Sequence, residues 1–109
     1  MAERRKYTRV NVSVALDEVM EMSALTMREP GKVVNLSIGG FGVISEGLYQ
    51  MGSMLSFGFT LPNGKALMNV RGKVVRVGKE EQGWYHGVVF EGLGWKNWLT
   101  LKWFLFTHK

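Results

Sequence analysis

Four cationic side chains lie close together near the start of the chain, at Arg4, Arg5, Lys6 and Arg9. A guanidinium presents a rigid fork of donors that matches phosphate oxygens and the O6 and N7 acceptors of guanine, and it can also stack on a purine. A short basic segment taken alone is more often a solvated tail or a non-specific contact for polyanions. The segment therefore indicates either an anion-binding element or a solvated terminus.

A second group of polar and flexible residues occupies positions 35 to 40, in the order Asn35-Leu36-Ser37-Ile38-Gly39-Gly40. Asn35 offers a donor and an acceptor, and Ser37 offers a hydroxyl. The two glycines allow a sharp turn and let backbone amides approach a ligand closely. The alternative is a turn between two strands in which the Asn or Ser side chain caps its own backbone.

The inventory of reactive side chains is small. There is no cysteine, and His86 and His108 are the two histidines. Neither a Gly-x-x-x-x-Gly-Lys loop nor a Gly-x-Ser-x-Gly turn occurs. We therefore predict no metal site, no cofactor and no catalysis, and we interpret His86 as a structural strand residue and His108 as a solvated one.

Composition favours one packed domain with an anionic partner. The 109 residues are 46% apolar and 21% charged, and the net charge is +5. The charged start argues against a secretory signal, and no apolar run approaches the ~20 residues needed to span a bilayer. The lack of cysteine is compatible with a reducing cytoplasm.

Glycines and alternating apolar residues predict mainly β-structure. Alternation over 10–16 and 55–61 indicates two half-buried strands, and 62–65 reads as a tight turn. The segment 66–77 changes phase, which predicts a bulge at Gly72. Residues 17–28 are ambiguous between helix and strand. The expected inward-facing residues of the later strands are Met68, Val70, Val75, Val77, Trp84, His86, Val88 and Phe90.

Residues 95 to 108 contain no glycine and predict one amphipathic helix. On a helical wheel one broad apolar arc faces a polar side. We expect Trp98 and Leu101, inside the arc, to face the core. Lys102 lies in the arc and can extend its amine to water, whereas Phe104 lies on the polar side and is predicted to contact another surface. The arc consists of Trp95, Trp98, Leu99, Leu101, Trp103, Leu105 and Phe106.

The two polar groups, taken together and in this order, resemble the signature of PilZ domains, the bacterial receptors for cyclic di-GMP. The pattern Arg-x-x-x-Arg corresponds to Arg5 and Arg9, and Asp/Asn-x-Ser-x-x-Gly corresponds to Asn35, Ser37 and Gly40. Residues 83 to 93, GWYHGVVFEGL, resemble the final strand of the family. Asn35 stands where Asp is common, which removes a carboxylate.

The resemblance implies an all-β fold, a six-stranded antiparallel β-barrel with a C-terminal α-helix. A single domain would cover 1–109, with a flexible basic arm at 1–9, the barrel at 10–92 and the helix at 95–108. It implies ordering of the arm around cyclic di-GMP, without catalysis. The implied ligand contacts are Arg4, Arg5, Arg9, Asn35, Ser37, Gly39 and Gly40.

The resemblance also implies how the protein would act in the cell. Arg4 would stack on an intercalated pair of cyclic di-GMP molecules. The protein would be a cytoplasmic monomer or weak dimer that signals to an unidentified partner protein controlling motility, pili or exopolysaccharide.

Two other functions remain open on the sequence alone. A small basic barrel could bind single-stranded nucleic acid by stacking bases on Trp84, Tyr85 or Trp95. The Trp- and Phe-rich helix could attach to a membrane surface, although its polar face offers few cations beyond Lys96 and the terminal residues.

Overall fold

The computed structural model describes residues 9–23, 26–28 and 31–107. Most of the predicted arm, including Arg4 and Arg5, lies outside the described residues, as does His108. Within the described ranges the chain forms seven β-strands and one α-helix. They are β1 (Val10–Glu21), β2 (Thr26–Arg28), β3 (Lys32–Leu36), β4 (Gly40–Ser45), β5 (Met54–Thr60), β6 (Ala66–Glu80), β7 (Gly83–Gly92) and α1 (Trp95–Thr107).

Strand β1 closes the barrel because its two halves pair with different strands. Residues from Val10 to Ala15 pair with β3, and residues from Leu16 to Glu21 pair with β5. The remaining neighbours follow the order β3-β4-β7-β6-β5, and every pairing is antiparallel. The short β2 pairs with the end of β1. The six-stranded antiparallel barrel with a C-terminal helix is therefore confirmed, and the ambiguous segment 17–28 is extended wherever it is described, apart from a turn after β1.

The barrel interior is filled by the alternating apolar residues of these strands. Phe41 lies at its centre, with its ring centroid 4.9 Å from that of Phe57, 5.6 Å from Phe59 and 5.4 Å from Phe90. The predicted alternation of 55–61 is confirmed, since Leu55, Phe57, Phe59 and Leu61 are all buried. Burial of such side chains contributes about 1.5–3 kcal/mol each.

The prediction for β6 is correct at Val70 and Val77 but wrong at Met68 and Val75, which are exposed. Strand β6 has one residue more than β5 between their paired positions, and Asn69 takes up the extra residue with φ of 55°. A second extra residue, Val75, shifts β6 against β7. The side-chain phase thus changes at these two bulges.

Gly72 does not change the phase of β6. A register shift against β7 does lie next to it, but the extra residue belongs to β7. Gly72 itself is buried, and a Cβ there would collide with the side chain of Val88. Its role is close packing inside the barrel.

Helix α1 is rotated about its axis from the predicted orientation, so that a different side packs on the barrel. Leu101 and Phe104 are buried, whereas Trp98 is exposed, so the assignments of Phe104 and Trp98 are wrong and that of Leu101 is right. Gly94, with φ of 81°, turns the chain into the helix, and its carbonyl accepts the Trp98 N–H at 2.9 Å. The Asn97 side chain donates to the Met68 carbonyl at 3.0 Å.

The turn at Gly94 and the bond from Asn97 to Met68 set the rotation of the helix, which a count of apolar residues cannot do. The side of α1 that carries Leu101 and Phe104 therefore faces the barrel, and most of the broad apolar arc faces outward. No helix of the described residues is long and apolar enough to cross a membrane.

Candidate ligand-binding site

Residues 37 to 39 form a tight turn between β3 and β4 that is built around the Ser37 hydroxyl. The hydroxyl oxygen accepts the N–H groups of Gly39 and Gly40, both at 3.2 Å, and donates to the Gly40 carbonyl at 3.2 Å. The Ser37 N–H also donates to that carbonyl, at 2.8 Å. Ser37 is buried. In the structure the Ser37 side chain therefore caps the backbone of its own turn.

The turn is held against β7 by a close approach of two backbones. A Cβ on Gly40 would collide with the Val88 carbonyl oxygen, so the position requires glycine. The Gly39 carbonyl accepts the Phe90 N–H at 3.0 Å. The backbone of β7 thus fills the space that the missing side chain leaves at Gly40, a residue that the resemblance implies as a ligand contact.

The two sequence groups meet on the outside of the barrel. Arg9 Nη1 donates to Asn35 Oδ1 at 2.6 Å, which joins residues 26 positions apart. Asn35 Nδ2 in turn donates to the Tyr85 hydroxyl at 3.3 Å. Arg9 is exposed and Asn35 is half-buried. The amide of Asn35 thus links the residue just before β1 to β7, across β3 and β4.

Tyr85 reaches Asn35 because the intervening position on β4 is Gly42. Asn35 pairs with Gly42 on the neighbouring strand, and Gly42 pairs with Gly87 on β7. A Cβ on Gly42 would collide with the Tyr85 hydroxyl and lie 2.6 Å from Asn35 Nδ2. The missing side chain is therefore what lets the phenol cross over β4.

The same row continues to β6, where Gly87 pairs with Arg76. A Cβ on Gly87 would lie 3.2 Å from the Cβ atom of Arg76 and 3.9 Å from its Cδ atom. Since adjacent strands are about 4.8 Å apart, the row from Asn35 to Arg76 spans roughly 14 Å. It presents an amide at one end and a guanidinium at the other. Tyr85 covers Gly42, so Gly87 is the glycine of the row at which a planar or anionic group can approach the backbone.

The sequence reasoning missed Gly42, Gly87 and Arg76, and it considered Tyr85 for base stacking only. A signal was available, because glycine inside a strand often marks the close approach of a ligand or another chain segment. Two glycines interrupt a strand in this way: Gly42 lies between Phe41 and Val43, and Gly87 lies between His86 and Val88.

His86 is confirmed as a structural residue. Its ring is buried and stacks on Tyr49 with centroids 4.3 Å apart. Nε2 accepts the Tyr49 N–H at 2.9 Å, and Nδ1 lies 3.4 Å from the Val43 carbonyl, which fits a neutral ring protonated at Nδ1. Burial lowers the pKa of His86 from 6.5, and the hydrogen bond to Val43 offsets part of this effect.

Of the residues considered for base stacking, Tyr85 belongs to the hydrogen-bonded network of this row, and Trp84 precedes it in β7. Trp84, on the β6–β7 hairpin, carries Lys79 Nζ 4.5 Å from its ring centroid. Trp95 is exposed at the start of α1. Among residues 9–23, 26–28 and 31–107, no group of three or more His, Cys, Asp or Glu side chains could hold a metal ion.

Similar solved structures include proteins of Bacillus subtilis and Escherichia coli. The inhibitor of motility MotI/DgrA from Bacillus subtilis matches with a TM-score of 0.72 and 18% identity over 94% of this chain and 49% of its own. YcgR from Escherichia coli in complex with c-di-GMP matches with a TM-score of 0.77 and 13% identity, over 96% of this chain and 46% of its own. The present chain thus spans about half of each.

The PilZ domain of YcgR, solved alone with c-di-GMP, is matched along almost its full length. The TM-score is 0.73 with 11% identity, over 97% of this chain and 92% of that one. Comparison with curated protein sequences finds no significant match. The family model of the PilZ domain matches residues 3–107. The chain therefore belongs to the PilZ domain family.

Proposed function

We propose that this protein is a receptor for cyclic di-GMP, which it binds on the outer barrel face between Asn35 and Arg76. The hydrogen bond between Arg9 and Asn35 carries the proposal, because it joins the two halves of the family signature beside a row of glycines. Membership of the PilZ family and the c-di-GMP bound to the similar YcgR domain support it.

The basic residues supply most of the binding free energy in this proposal. Arg5 and Arg9 bind the guanine edge and the phosphates from the arm side, and Asn35 binds from the barrel side. Arg4 stacks on a second ligand molecule when the ligand binds as an intercalated pair. Bound phosphates neutralise the mutual repulsion of these cations and so offset the entropy lost when the arm becomes ordered.

The turn residues act mainly by shaping the site. Ser37, Gly39 and Gly40 use their polar groups to hold the turn and its contact with β7, and thereby fix Asn35 at the end of β3. Gly87 lets a base or phosphate approach β7, and Arg76 adds a second positive group across the row. No covalent step is involved. The output is an ordered arm and a changed surface, which a partner protein in the cytoplasm reads.

Calorimetric titration tests the proposal directly. Cyclic di-GMP, GTP and a short single-stranded oligonucleotide are titrated in parallel, at low and moderate salt. We expect saturable binding of cyclic di-GMP and no comparable binding of GTP. No heat with cyclic di-GMP, together with oligonucleotide binding that weakens steeply with salt, would replace the proposal by nucleic-acid binding.

A further inference from the structure

The outward side of α1 carries a continuous group of large apolar side chains, here called the aromatic face. Its members are Trp95, Trp98, Leu99, Trp103 and Phe106, which are exposed by 69, 40, 50, 63 and 67%. The centroids of the Trp103 and Phe106 rings lie 6.1 Å apart. This face is the reverse of the usual arrangement, in which a surface helix turns its apolar side to the core.

The aromatic face lies opposite the side of α1 that packs on the barrel. At 100° per residue, Leu101 and Phe104 point to one side and Leu99 and Phe106 to the other. The face therefore forms the outermost ridge of the helix, about 16 Å long from Trp95 to Phe106. A flat surface can touch such a ridge along its whole length.

The exposed area is large for a small protein. Since an aromatic side chain has about 150–250 Å² to bury, the exposed fractions correspond to roughly 500 Å². The largest apolar patch of a typical monomer is about 300–600 Å² and is often functional. A stable protein interface buries about 800 Å² on each partner, so the aromatic face alone is small for pairing with a second copy.

The charges around the face select an anionic partner. The helix Trp95–Thr107 contains no Asp or Glu, and its two cations lie next to the aromatic rings. Lys102 Nζ is 4.6 Å from the ring centroid of Trp98, and Lys96 Nζ is 5.7 Å from that of Trp95. A second copy would add two more lysines and no carboxylate, whereas the chain already carries a net charge of +5.

We propose that α1 attaches the protein to the surface of an anionic lipid bilayer through the aromatic face. Trp side chains favour the boundary between headgroups and acyl chains, and Phe and Leu insert beside them. Lys96 and Lys102 extend their amines to the lipid phosphates. The side of the helix that packs on the barrel, with Leu101 and Phe104, takes no part in the attachment, so the lack of cations there does not weaken it.

The attachment lies in the plane of the interface and spans nothing, in agreement with the length of the helix. It is independent of the proposed ligand, since the aromatic face shares no residue with the row from Asn35 to Arg76. Failure of either proposal therefore leaves the other standing.

Vesicle flotation tests the attachment with the full chain and no nucleotide. One set of vesicles is phosphatidylcholine alone, and the other contains roughly one phosphatidylglycerol in four lipids. We expect flotation with the anionic vesicles and about tenfold less with Trp103→Ser, since most of the side chain leaves water on binding. Met51→Ser is the matched control, because Met51 is also 63% exposed but lies in the loop between β4 and β5.

A second pair of variants tests the charges. Lys102→Gln should reduce flotation with anionic vesicles. Lys79→Gln, which removes the lysine over Trp84 on the β6–β7 hairpin, should not. Thermal melts establish that each variant is folded. The proposal is overturned if the folded wild type does not float, if it floats equally with both vesicle types, or if Trp103→Ser only dissolves a dimer seen in sedimentation.

Discussion

Asn35 uses one amide group for two hydrogen bonds, accepting from Arg9 and donating to Tyr85. A carboxylate in its place would keep the acceptor and lose the donor. The amide therefore suits a position between a guanidinium and a phenol, and it leaves the Tyr85 hydroxyl hydrogen available to a ligand.

Arg9→Ala should weaken cyclic di-GMP binding by about 1.5–3 kcal/mol, the usual contribution of a hydrogen bond to a charged group. The melting temperature should hardly change, because Arg9 is exposed and precedes the barrel. Calorimetry and thermal melts measure the two effects. Arg71→Ala, at an exposed arginine of β6, is the control, and equal loss of affinity there would point to non-specific charge attraction.

Tyr85→Phe should have a smaller effect, about 0.5–1.5 kcal/mol on binding, because it removes one hydroxyl and leaves the ring over Gly42. The expected cause is a loss of orientation of the Asn35 amide. A titration of Asn35→Ala and of the double variant completes the cycle. Additive losses would show that Tyr85 acts separately from Asn35.

His86 should make the barrel less stable in mild acid. Its pKa is lowered in the folded state, so below about pH 6.5 the unfolded chain binds more protons and the free energy of unfolding falls. The slope due to this one group cannot exceed about 1.4 kcal/mol per pH unit. Urea melts between about pH 7.5 and 5.5 measure it. In His86→Gln the slope due to this site should vanish, and an unchanged slope would assign the effect to other groups.

At the scale of elements, α1 and β6 show what periodicity omits. The helical wheel correctly groups the apolar residues of α1, but the side facing the barrel is set by the turn at Gly94 and by the bond from Asn97 to Met68. In β6 the phase depends on two bulges that pairing with β5 and β7 imposes. The bond from Asn97 to Met68 and the two bulges of β6 depend on residues that are distant in sequence.

Substitutions in α1 should separate its two sides. Leu101→Ala and Phe104→Ala remove buried side chains and should each lower the free energy of unfolding by about 2–5 kcal/mol. Trp98→Ala should cost less than either, since 40% of its side chain is already exposed. Denaturant melts compare the three. Equal losses at Trp98 and Phe104 would mean that the helix is buried on both sides.

Much of the whole molecule was predictable, because its strands repeat the simple alternation of a barrel wall. The two polar groups and their order indicated the family and named Arg9 and Asn35, which share a hydrogen bond in the structure. The row of Gly42, Gly87 and Arg76 was not predictable, since their proximity depends on the register of β4, β7 and β6.

Ligand binding should stabilise the folded domain as a unit. At a concentration one hundred times Kd, cyclic di-GMP should add about 2.7 kcal/mol to the free energy of unfolding. For a domain of this size the melting temperature should rise by roughly 10 °C or more. Thermal melts with GTP at the same concentration are the control. A rise of similar size with GTP would indicate a general anion effect.

The close approach at Gly40 has a consequence for how the sequence tolerates change. At Gly31, Gly40 and Gly83 a Cβ would collide with a carbonyl oxygen of a neighbouring segment. In a library of all single substitutions these three positions should be depleted as strongly as the buried phenylalanines, although they bury no apolar side chain. A hydropathy profile does not distinguish these glycines from those of ordinary turns. The depleted positions in the library would mark the places where two backbone segments of the barrel are in contact.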